Sequence, residues 1–536
     1  MYFAVSNTVF QLPKFRVTTI LLGLLLISSF SFSQEKKRVE ILNTGYGESA
    51  SEMGSNVQRL VDSVYIRHKE ILMWCDTAYL YSGTNKVNAI GHVHIKQGDT
   101  LDLYANNILY DGDISFARAW NNVVLRNKTT RLYSDTVDYD LDKNISYYNH
   151  YGKIVDSTTT LTSKIGKYFM NEDNIDFFID VKGSNEKFTL ENDTLKYNTV
   201  TGRMFIEGPT TIRDSANTLY AESGWYDSNT GETELKQKAI IYNNEQRLKA
   251  SYIKYNKLSG KGKALGSVSI EDTKNRSIIL GNVATFNKIT EKAMVTDSAI
   301  YMSYTSTDTL FLHADTLRTA PDTVEGEKVI SAYYGVRFYR TDMQGLCDSM
   351  VYFTKDSVIQ LYQQPVIWSE NHQLSADLIE MQQRSDGPDE LHMTKNSFII
   401  SEQDTGQFDQ IKGKEMVGYI VDRQLTKIDV NGNGQTLYYA REEEEIIGLN
   451  KAESSKISIR FKEGKIHKIY FIKAPEGELK PLTDLTESDK TLSDFDWKIR
   501  MRPRSKKDIF PRPDILPFEK TKNEKKNEKK KIDKNL

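Results

Sequence analysis

The chain has 536 residues, with 31 glycines, 11 prolines and 2 cysteines. These counts exclude a collagen-like chain, a disulfide scaffold and a zinc-ribbon array. Aromatic residues make up 11% of the chain, which is too much apolar mass for a wholly disordered protein. The formal net charge is −2, but the segment from Lys498 to Leu536 has 15 basic and 6 acidic residues, so the central part is acidic. An acidic body is a poor match for nucleic acid, which proteins bind through clustered Lys and Arg.

The first 33 residues have the organisation of a secretory signal peptide. Lys14 and Arg16 precede an apolar run at residues 20–27, and small residues follow at 31–33. The run is shorter than the ~20 apolar residues that cross a bilayer. We therefore expect residues 1–33 to be cleaved during export, with an uncleaved anchor as the alternative.

A repeat of 29 residues runs through the middle of the chain. A leucine column recurs at this spacing: Leu103, Leu132, Leu161, Leu190, Leu219 and Leu248. A tyrosine column recurs in phase with it: Tyr110, Tyr139, Tyr168, Tyr197, Tyr226 and Tyr255. A further column, five residues after each leucine, includes Ile108, Val137, Leu195 and Ile253. Columns in phase at one spacing indicate a repeated structural unit.

Each repeat contains a second apolar segment, as at residues 91–95 and 266–270, in which apolar and polar residues alternate. This alternation is typical of a half-buried strand. Turn-forming residues separate the segments, and no convincing amphipathic helix lies between Val57 and Ile472. The pattern predicts an all-β chain with two short strands and two turns in each repeat.

The leucine and tyrosine columns are seven residues apart, which is an odd number, so on a straight strand they would face opposite sides. If both columns are buried, a bulge or corner must lie between them. We expect the corner at Asp135 and Thr136, and at Asp193 and Thr194. The alternative is that the tyrosines point outward as an aromatic ladder.

Few residues resemble a catalytic or metal site. His92 and His94 lie two apart on a predicted strand, but no cluster of Cys, Asp or Glu with ligand spacing accompanies them. Cys75 and Cys347 occupy a column of small residues, so we expect two buried thiols rather than nucleophiles, with a disulfide between them as the alternative. The common nucleophile, phosphate-binding and zinc-protease motifs are missing from the sequence.

The repeat pattern weakens toward the C-terminus, and the last residues, 520–536, alternate Lys, Asn and Glu with few apolar residues. Such a composition is typical of a solvated, disordered tail. We therefore predict strong repeats in residues 34–320, a second and weaker β-repeat unit in residues 321–475, and a Pro/Lys-rich linker with a disordered tail in residues 476–536.

These repeats resemble the OstA/LptA-like organic solvent tolerance family of periplasmic lipopolysaccharide-transport proteins. The resemblance rests on the Gly-x-Val-x-Ile strands at residues 91–95 and 266–270, and on the strands that follow them, as at residues 103–110 and 132–139. It implies a β-jellyroll, or β-taco, in which two antiparallel sheets fold into a V and acyl chains lie between them. The chain is about twice as long as the short bridge protein of this family, and its charged end does not resemble a final membrane-barrel strand.

The resemblance implies a non-enzymatic periplasmic carrier, with outer-membrane association left open, and with neither a cofactor nor a metal. Its implied partners are lipopolysaccharide or a related glycolipid, and other proteins of the same fold, or itself, through edge-strand stacking. It excludes nucleic acid and allows membrane contact only through partners. The expected lining of the lipid trough is Leu103, Leu132, Leu161, Leu190, Leu219, Leu248, Ile108, Val137, Leu195 and Ile253.

Two other interpretations stay open. An adhesin or polysaccharide-binding protein with a right-handed β-helix would also combine an export signal with repeats and inward ladders. A purely structural outer-membrane scaffold is the third. As an enzyme, a β-helix would need charged residues clustered over consecutive coils, and the sequence shows no such cluster.

Overall fold

The computed structural model describes residues 37–510, except 50–53, 55, 158, 323–326, 385, 405 and 443–444. The predicted signal peptide, at residues 1–33, and the last part of the predicted tail, from residue 511, lie outside the described residues. The chain divides into two compact units, one ending at His150 and one beginning at Tyr151. The boundary predicted at residue 320 falls within the second unit, near the end of a strand, and stays a prediction.

The first unit is a succession of antiparallel strands in which β3 to β8 each pair with the next strand, and β1 and β2 both pair with β3. Its strands are β1 (Glu40–Asn43), β2 (Tyr46–Glu48), β3 (Val57–His68), β4 (Ile71–Tyr81), β5 (Lys86–Gln97), β6 (Leu101–Asp111), β7 (Phe116–Asn127), β8 (Thr130–Asp140) and β9 (Ile145–Tyr148).

The second unit continues the same plan. Its first strands are β10 (Gly152–Asp156), β11 (Thr159–Ser163), β12 (Ile165–Phe169), β13 (Asn174–Ser184), β14 (Phe188–Asn198), β15 (Arg203–Asp214), β16 (Thr218–Asp227), β17 (Glu232–Tyr242), β18 (Gln246–Asn256), β19 (Lys261–Asp272), β20 (Ser277–Asn287), β21 (Lys292–Tyr304), β22 (Thr309–Pro321) and β23 (Lys328–Tyr339). They are followed by β24 (Gln344–Phe353), β25 (Val358–Tyr362), β26 (Val366–Ser369), β27 (His372–Ser375), β28 (Leu378–Gln382), β29 (Asp389–Asp404), β30 (Gln407–Val421), β31 (Gln424–Glu442), β32 (Glu445–Lys462), β33 (Lys465–Ile472) and β34 (Glu476–Lys480).

The predicted fold class is confirmed, since the described residues form consecutive antiparallel strands with two strands in each 29-residue repeat. The only helical turns among them are short 3₁₀ segments, at Met170–Glu172, Leu482–Asp484, Glu487–Lys490 and Ile499–Met501. The β-helix alternative is wrong, because successive coils of a β-helix pair in parallel, whereas the described strands of these units pair antiparallel.

A corner interrupts the long strands where the sequence predicted it. Asn121 and Asn122 on β7 face the single residue Asp135 on β8. The same two-to-one register shift occurs at Asp193 on β14. The extra residue reverses the facing of the side chains, as a β-bulge does. The corner divides each strand into a leucine half and a tyrosine half, named after the column that each contains.

Most corners on alternate strands are built from two consecutive residues in the left-handed region of φ, whereas the corner on β15 has Gly208 alone. These pairs are Asp62 and Ser63, Gly91 and His92, Asn121 and Asn122, Ile179 and Asp180, Gln237 and Lys238, Gly266 and Ser267, Asp297 and Ser298, Tyr334 and Gly335, Gln363 and Gln364, Lys395 and Asn396, and Gly432 and Asn433. Left-handed backbone costs roughly 1–2 kcal/mol at a residue with a Cβ, so each corner depends on the packing around it.

The corner brings both columns to one side of the sheet. Leu103 and Tyr110 on β6 are both buried, as are Leu132 and Tyr139 on β8. The alternative of an outward tyrosine ladder is therefore wrong for Tyr110, Tyr139, Tyr168, Tyr197 and Tyr226, which are all buried. Tyr255 is half-buried.

Within the predicted linker and tail, residues 476–510 contain ordered structure, and the disordered tail beyond them stays a prediction. Residues 476–480 form β34. Leu492 and Ile509 are buried, and Leu492 belongs to an apolar cluster with residues of β29, β31 and β32. The apolar residues that anchor this segment are widely spaced in a sequence that is otherwise mostly polar.

We predict that Gly91→Ala destabilises the first unit more than Gly98→Ala does. Both glycines have a positive φ, 78° and 60°, so both substitutions carry a similar backbone cost. A Cβ on Gly91 would overlap the Asp76 carboxylate at the corner, whereas a Cβ on Gly98 would meet no atom within 4 Å. Hydrogen exchange of the β4 and β5 amides should increase in Gly91→Ala alone. Equal exchange in the two variants would contradict this role of the corner.

Candidate functional site

The candidate site is the inward face of the repeats, between the leucine and tyrosine halves. In the first unit, the predicted lining residues Leu103, Ile108, Leu132 and Val137 are at most 1% exposed. In the second unit, Leu161, Leu190, Leu195, Leu219 and Ile253 are also buried, and Leu248 is half-buried. The structure therefore places all ten predicted residues on the inward face, nine of them closed to solvent.

In the first unit, tyrosine hydroxyls join the two halves. Tyr110 lies in the tyrosine half of β6, and its hydroxyl is 2.6 Å from Nδ1 of His68 in the leucine half of β3. The Tyr139 hydroxyl donates to Oε1 of Gln97, on β5, at 2.9 Å. In each case two strands lie between the partners along the sheet, so the separation is three strand spacings, or about 14 Å at ~4.8 Å per spacing. These hydrogen bonds therefore cross the inward face and close it.

The second unit contains two further bonds of this kind. The Tyr197 hydroxyl donates to Oδ2 of Asp156 at 2.8 Å. Lys257, just after β18, donates to Oδ2 of Asp214, at the end of β15, at 2.7 Å. Between these pairs, the rings of Phe188 and Tyr226 meet edge to face at 5.2 Å. We call these cross-half contacts clasps.

Burial keeps the clasp tyrosines protonated. It raises the pKa of Tyr110, Tyr139 and Tyr197 well above the usual value for a phenol, and raises that of Tyr226 to about 12. Burial alone would raise the pKa of Asp214, but hydrogen bonds from Lys257 and from the backbone N–H groups of Ala216 and Asn217 lower it below its usual value. The clasps therefore hold a neutral phenol or an ion pair at neutral pH.

Beyond Lys257, much of the inward face is only half-buried, although Leu312 on β22 and Phe338 on β23 are buried. On the leucine half these half-buried residues are Leu248, Ile270, Ile279, Tyr301 and Leu310. On the tyrosine half they are Tyr255, Phe286, Ile330, Tyr352 and Ile359. Beside the corners of the same strands, Ala264, Ala284 and Ala299 are fully buried. The corner is therefore closed while the outer parts of the two halves are reached by solvent, and we call this stretch, β18–β25, the open stretch.

Two contacts join the halves again toward the C-terminal end of the second unit. Arg423, in the β30–β31 turn, lies 3.9 Å from Oδ2 of Asp308 and 3.7 Å from Oδ2 of Asp342. The ring of His372 meets that of Phe461 edge to face at 5.5 Å. Burial lowers the pKa of His372 to about 4, so this ring is neutral at neutral pH.

The sequence contains a signal for the open stretch in its tyrosine column, beyond the predicted lining residues. The tyrosine column ends at Tyr255, and the next residue in that column is Phe286, which lacks the hydroxyl needed for a clasp. Tyr255 stacks instead on Phe286, within its own half, at 5.9 Å. Gly262 lies between them in the register and leaves the space for this contact.

The other candidate residues show no catalytic arrangement in the described part of the chain. His92 pairs with Asp76 at 2.8 Å, and His94 pairs with Asp102 at 2.7 Å. No group of three or more His, Cys, Asp or Glu in that part could hold a metal ion. Cys75 and Cys347 are buried free thiols, and burial raises the pKa of Cys75 to about 12. No helix within the described residues is long and apolar enough to span a membrane.

We predict that Tyr139→Phe weakens the first unit by about 1 kcal/mol, the usual contribution of a buried hydrogen bond. The variant removes the donor to Gln97 and leaves the ring in place. Tyr133→Phe, at an exposed ring on the same strand, is the control and should have no effect. The measurement is hydrogen exchange across β5 and β8. Equal exchange in the parent and in Tyr139→Phe would show that the clasp does not hold the halves together.

Comparison with known proteins bears on the first part of the repeat array. No curated protein matches the chain. The family model described as OstA-like protein matches residues 36–193, and it confirms over that segment the family resemblance that the sequence predicted.

Proposed function

We propose that this protein is a non-enzymatic periplasmic carrier that shields the acyl chains of lipopolysaccharide, or of a related glycolipid, between its two half-sheets. The observation that carries the proposal is the open stretch, where ten large side chains on the inward face are only half-buried. The OstA-like match supports a protein of lipopolysaccharide-transport type. It covers residues 36–193, so the proposal for the open stretch rests on the geometry there.

The energetics favour this stretch over the closed ones. Burying a CH₂ group is worth about 0.8 kcal/mol, so acyl chains laid against half-buried Ile279, Phe286 and Leu310 would remove apolar surface from water on both sides. Where clasps close the face, an acyl chain would first have to break buried hydrogen bonds. The predicted lining residues Leu103, Leu132 and Val137 would therefore contact lipid only after the halves separate.

The proposal needs no chemistry from the protein. Ladder hydrogen bonds satisfy the backbone of the open stretch, and its inward residues are mostly aliphatic or aromatic. Such a surface binds by excluding water and does not activate a bond. An exported carrier of this kind would also pair with like proteins through its edges, and β34 is a terminal strand whose residues are mostly exposed.

A direct test is purification of the protein from its native cell envelope, followed by mass spectrometry of the extracted lipid. We expect a glycolipid with several acyl chains in a defined ratio to the protein. Recovery of the folded protein without glycolipid, from an envelope that contains it, would contradict the carrier role.

We predict that Ile279→Glu abolishes acyl-chain binding while the protein stays folded. Ile279 is half-buried on the inward face, so a carboxylate there reaches water at little cost but meets any bound acyl chain. The matched control is Ile278→Glu, because Ile278 is the adjacent, also half-buried residue on the opposite face. Binding of a fluorescent fatty-acyl probe should fall at least tenfold in Ile279→Glu and stay unchanged in Ile278→Glu. Equal binding by both variants would remove the open stretch as the site.

A further inference from the structure

The segment after β34 crosses the outer face of the leucine half, on the side away from the proposed lipid site. We call residues 485–510 the strap. Leu485, Leu492, Phe495 and Trp497 pack on an apolar cluster that includes Ile400. Further along the strap, Ile499 and Met501 pack against Leu346, Val366 and Trp368. The strap therefore runs across the strands instead of pairing with them.

Two buried glutamines bind the main chain of the strap in the same way. Gln410, on β30, accepts from the N–H of Leu492 at 2.8 Å and donates to the carbonyl of Lys490 at 2.9 Å. Gln373, on β27, accepts from the N–H of Lys498 and donates to the carbonyl of Asp496, both at 2.7 Å. In each case one side-chain amide accepts from the N–H of one strap residue and donates to the carbonyl of the residue two positions earlier.

Two of the glutamines that contact the strap belong to one column of the repeat. Gln344 and Gln373 are 29 residues apart, which is the period of the array. Gln344 also contacts the strap, because its Oε1 accepts from Nε of Arg502 at 2.7 Å. All three side chains are at most 4% exposed. A buried amide whose donor and acceptor are both used is a specific binding group, since an unpaired one would carry a desolvation cost.

The contacts have the character of ligand recognition. The glutamine amides form hydrogen bonds with main-chain groups of the strap, and apolar side chains of the strap pack between these hydrogen bonds. A folded domain binds an extended peptide in the same way. The strap is also held beside Leu492 by Lys412, which donates to the Ser493 carbonyl at 3.1 Å, and at its C-terminal end by Phe510, whose ring lies 4.9 Å from that of His313. The strap contains two short 3₁₀ segments, Glu487–Lys490 and Ile499–Met501, and is otherwise without helix.

We infer that the outer face of β24–β32 is a peptide-binding surface whose ligand is the strap itself, docked reversibly through its main chain by Gln373 and Gln410. The class of ligand is an extended polypeptide with apolar side chains at the spacing of Leu492, Phe495 and Trp497. Docking would not require covalent continuity with β34, because none of these contacts involves the connecting residues 481–484.

The test uses the full chain and a labelled synthetic peptide of residues 484–510. In the chain variant Leu492→Ser/Trp497→Ser, the resident strap is weakened while the surface is intact. We expect the peptide to bind this variant saturably and at least tenfold more tightly than it binds the parent, in which the resident strap competes. Adding Gln373→Leu and Gln410→Leu should reduce that binding at least tenfold.

Gln435→Leu on the same background is the matched control. Gln435 lies on β31 and donates to Glu453, not to the strap, so binding should be unchanged. Absence of peptide binding to the folded, strap-weakened chain would overturn the inference. Equal losses from Gln435→Leu and from the other two glutamine variants would also overturn it.

A measurement on the parent chain keeps the inference falsifiable if the strap-weakened variant does not fold. The Leu492 and Lys498 amides should exchange with solvent faster than the ladder amides of β29 to β31, because a releasable strap opens without unfolding the sheet. Gln373→Leu should accelerate exchange at Lys498 more than at Leu492. Exchange of both strap amides at the rate of the sheet would show that the strap is an integral part of the core.

Discussion

The structure depends on one constraint, which is the extra residue at the corner of each strand pair. Without it, residues seven apart such as Leu103 and Tyr110 would face opposite sides. With it, both are buried on the same side and each strand contributes to two facing half-sheets. The left-handed backbone at Ile179, a β-branched residue that disfavours this conformation, shows that tertiary packing and not local preference holds that corner in place.

The closing of the inward face then follows from chemistry at the strand ends. A tyrosine side chain is long enough to cross from one half to the other, and its hydroxyl donates a hydrogen bond to a partner such as Asp156. Once the column changes to Phe286, the same ring volume is available without the hydrogen bond. One backbone arrangement therefore has two kinds of interior, which is closed where clasps exist and half-open over much of the stretch between β18 and β25.

The strap explains why the repeats look weaker after residue 321. Outward positions that are usually polar in the first repeats become apolar, as in the continuous triplets at residues 366–368 and 398–400. Trp368 and Ile400 point outward, yet the strap buries both. A strand buried on both faces loses the alternation of apolar and polar residues. The repeat pattern therefore weakens because the strap covers the outer face of the sheet.

The sequence by itself determined the period, the all-β class and the position of the corner, because these follow from column spacing and from the two-residue periodicity of strands. It also placed Leu132 and Val137 on the inward face. It did not determine which parts of that face are closed, since a clasp joins residues about 42 apart, such as Tyr139 and Gln97, through a bend in the sheet. It also missed the strap, because Gln373 meets residues more than 120 positions away. Those contacts depend on how the strands stack, which only the tertiary structure decides.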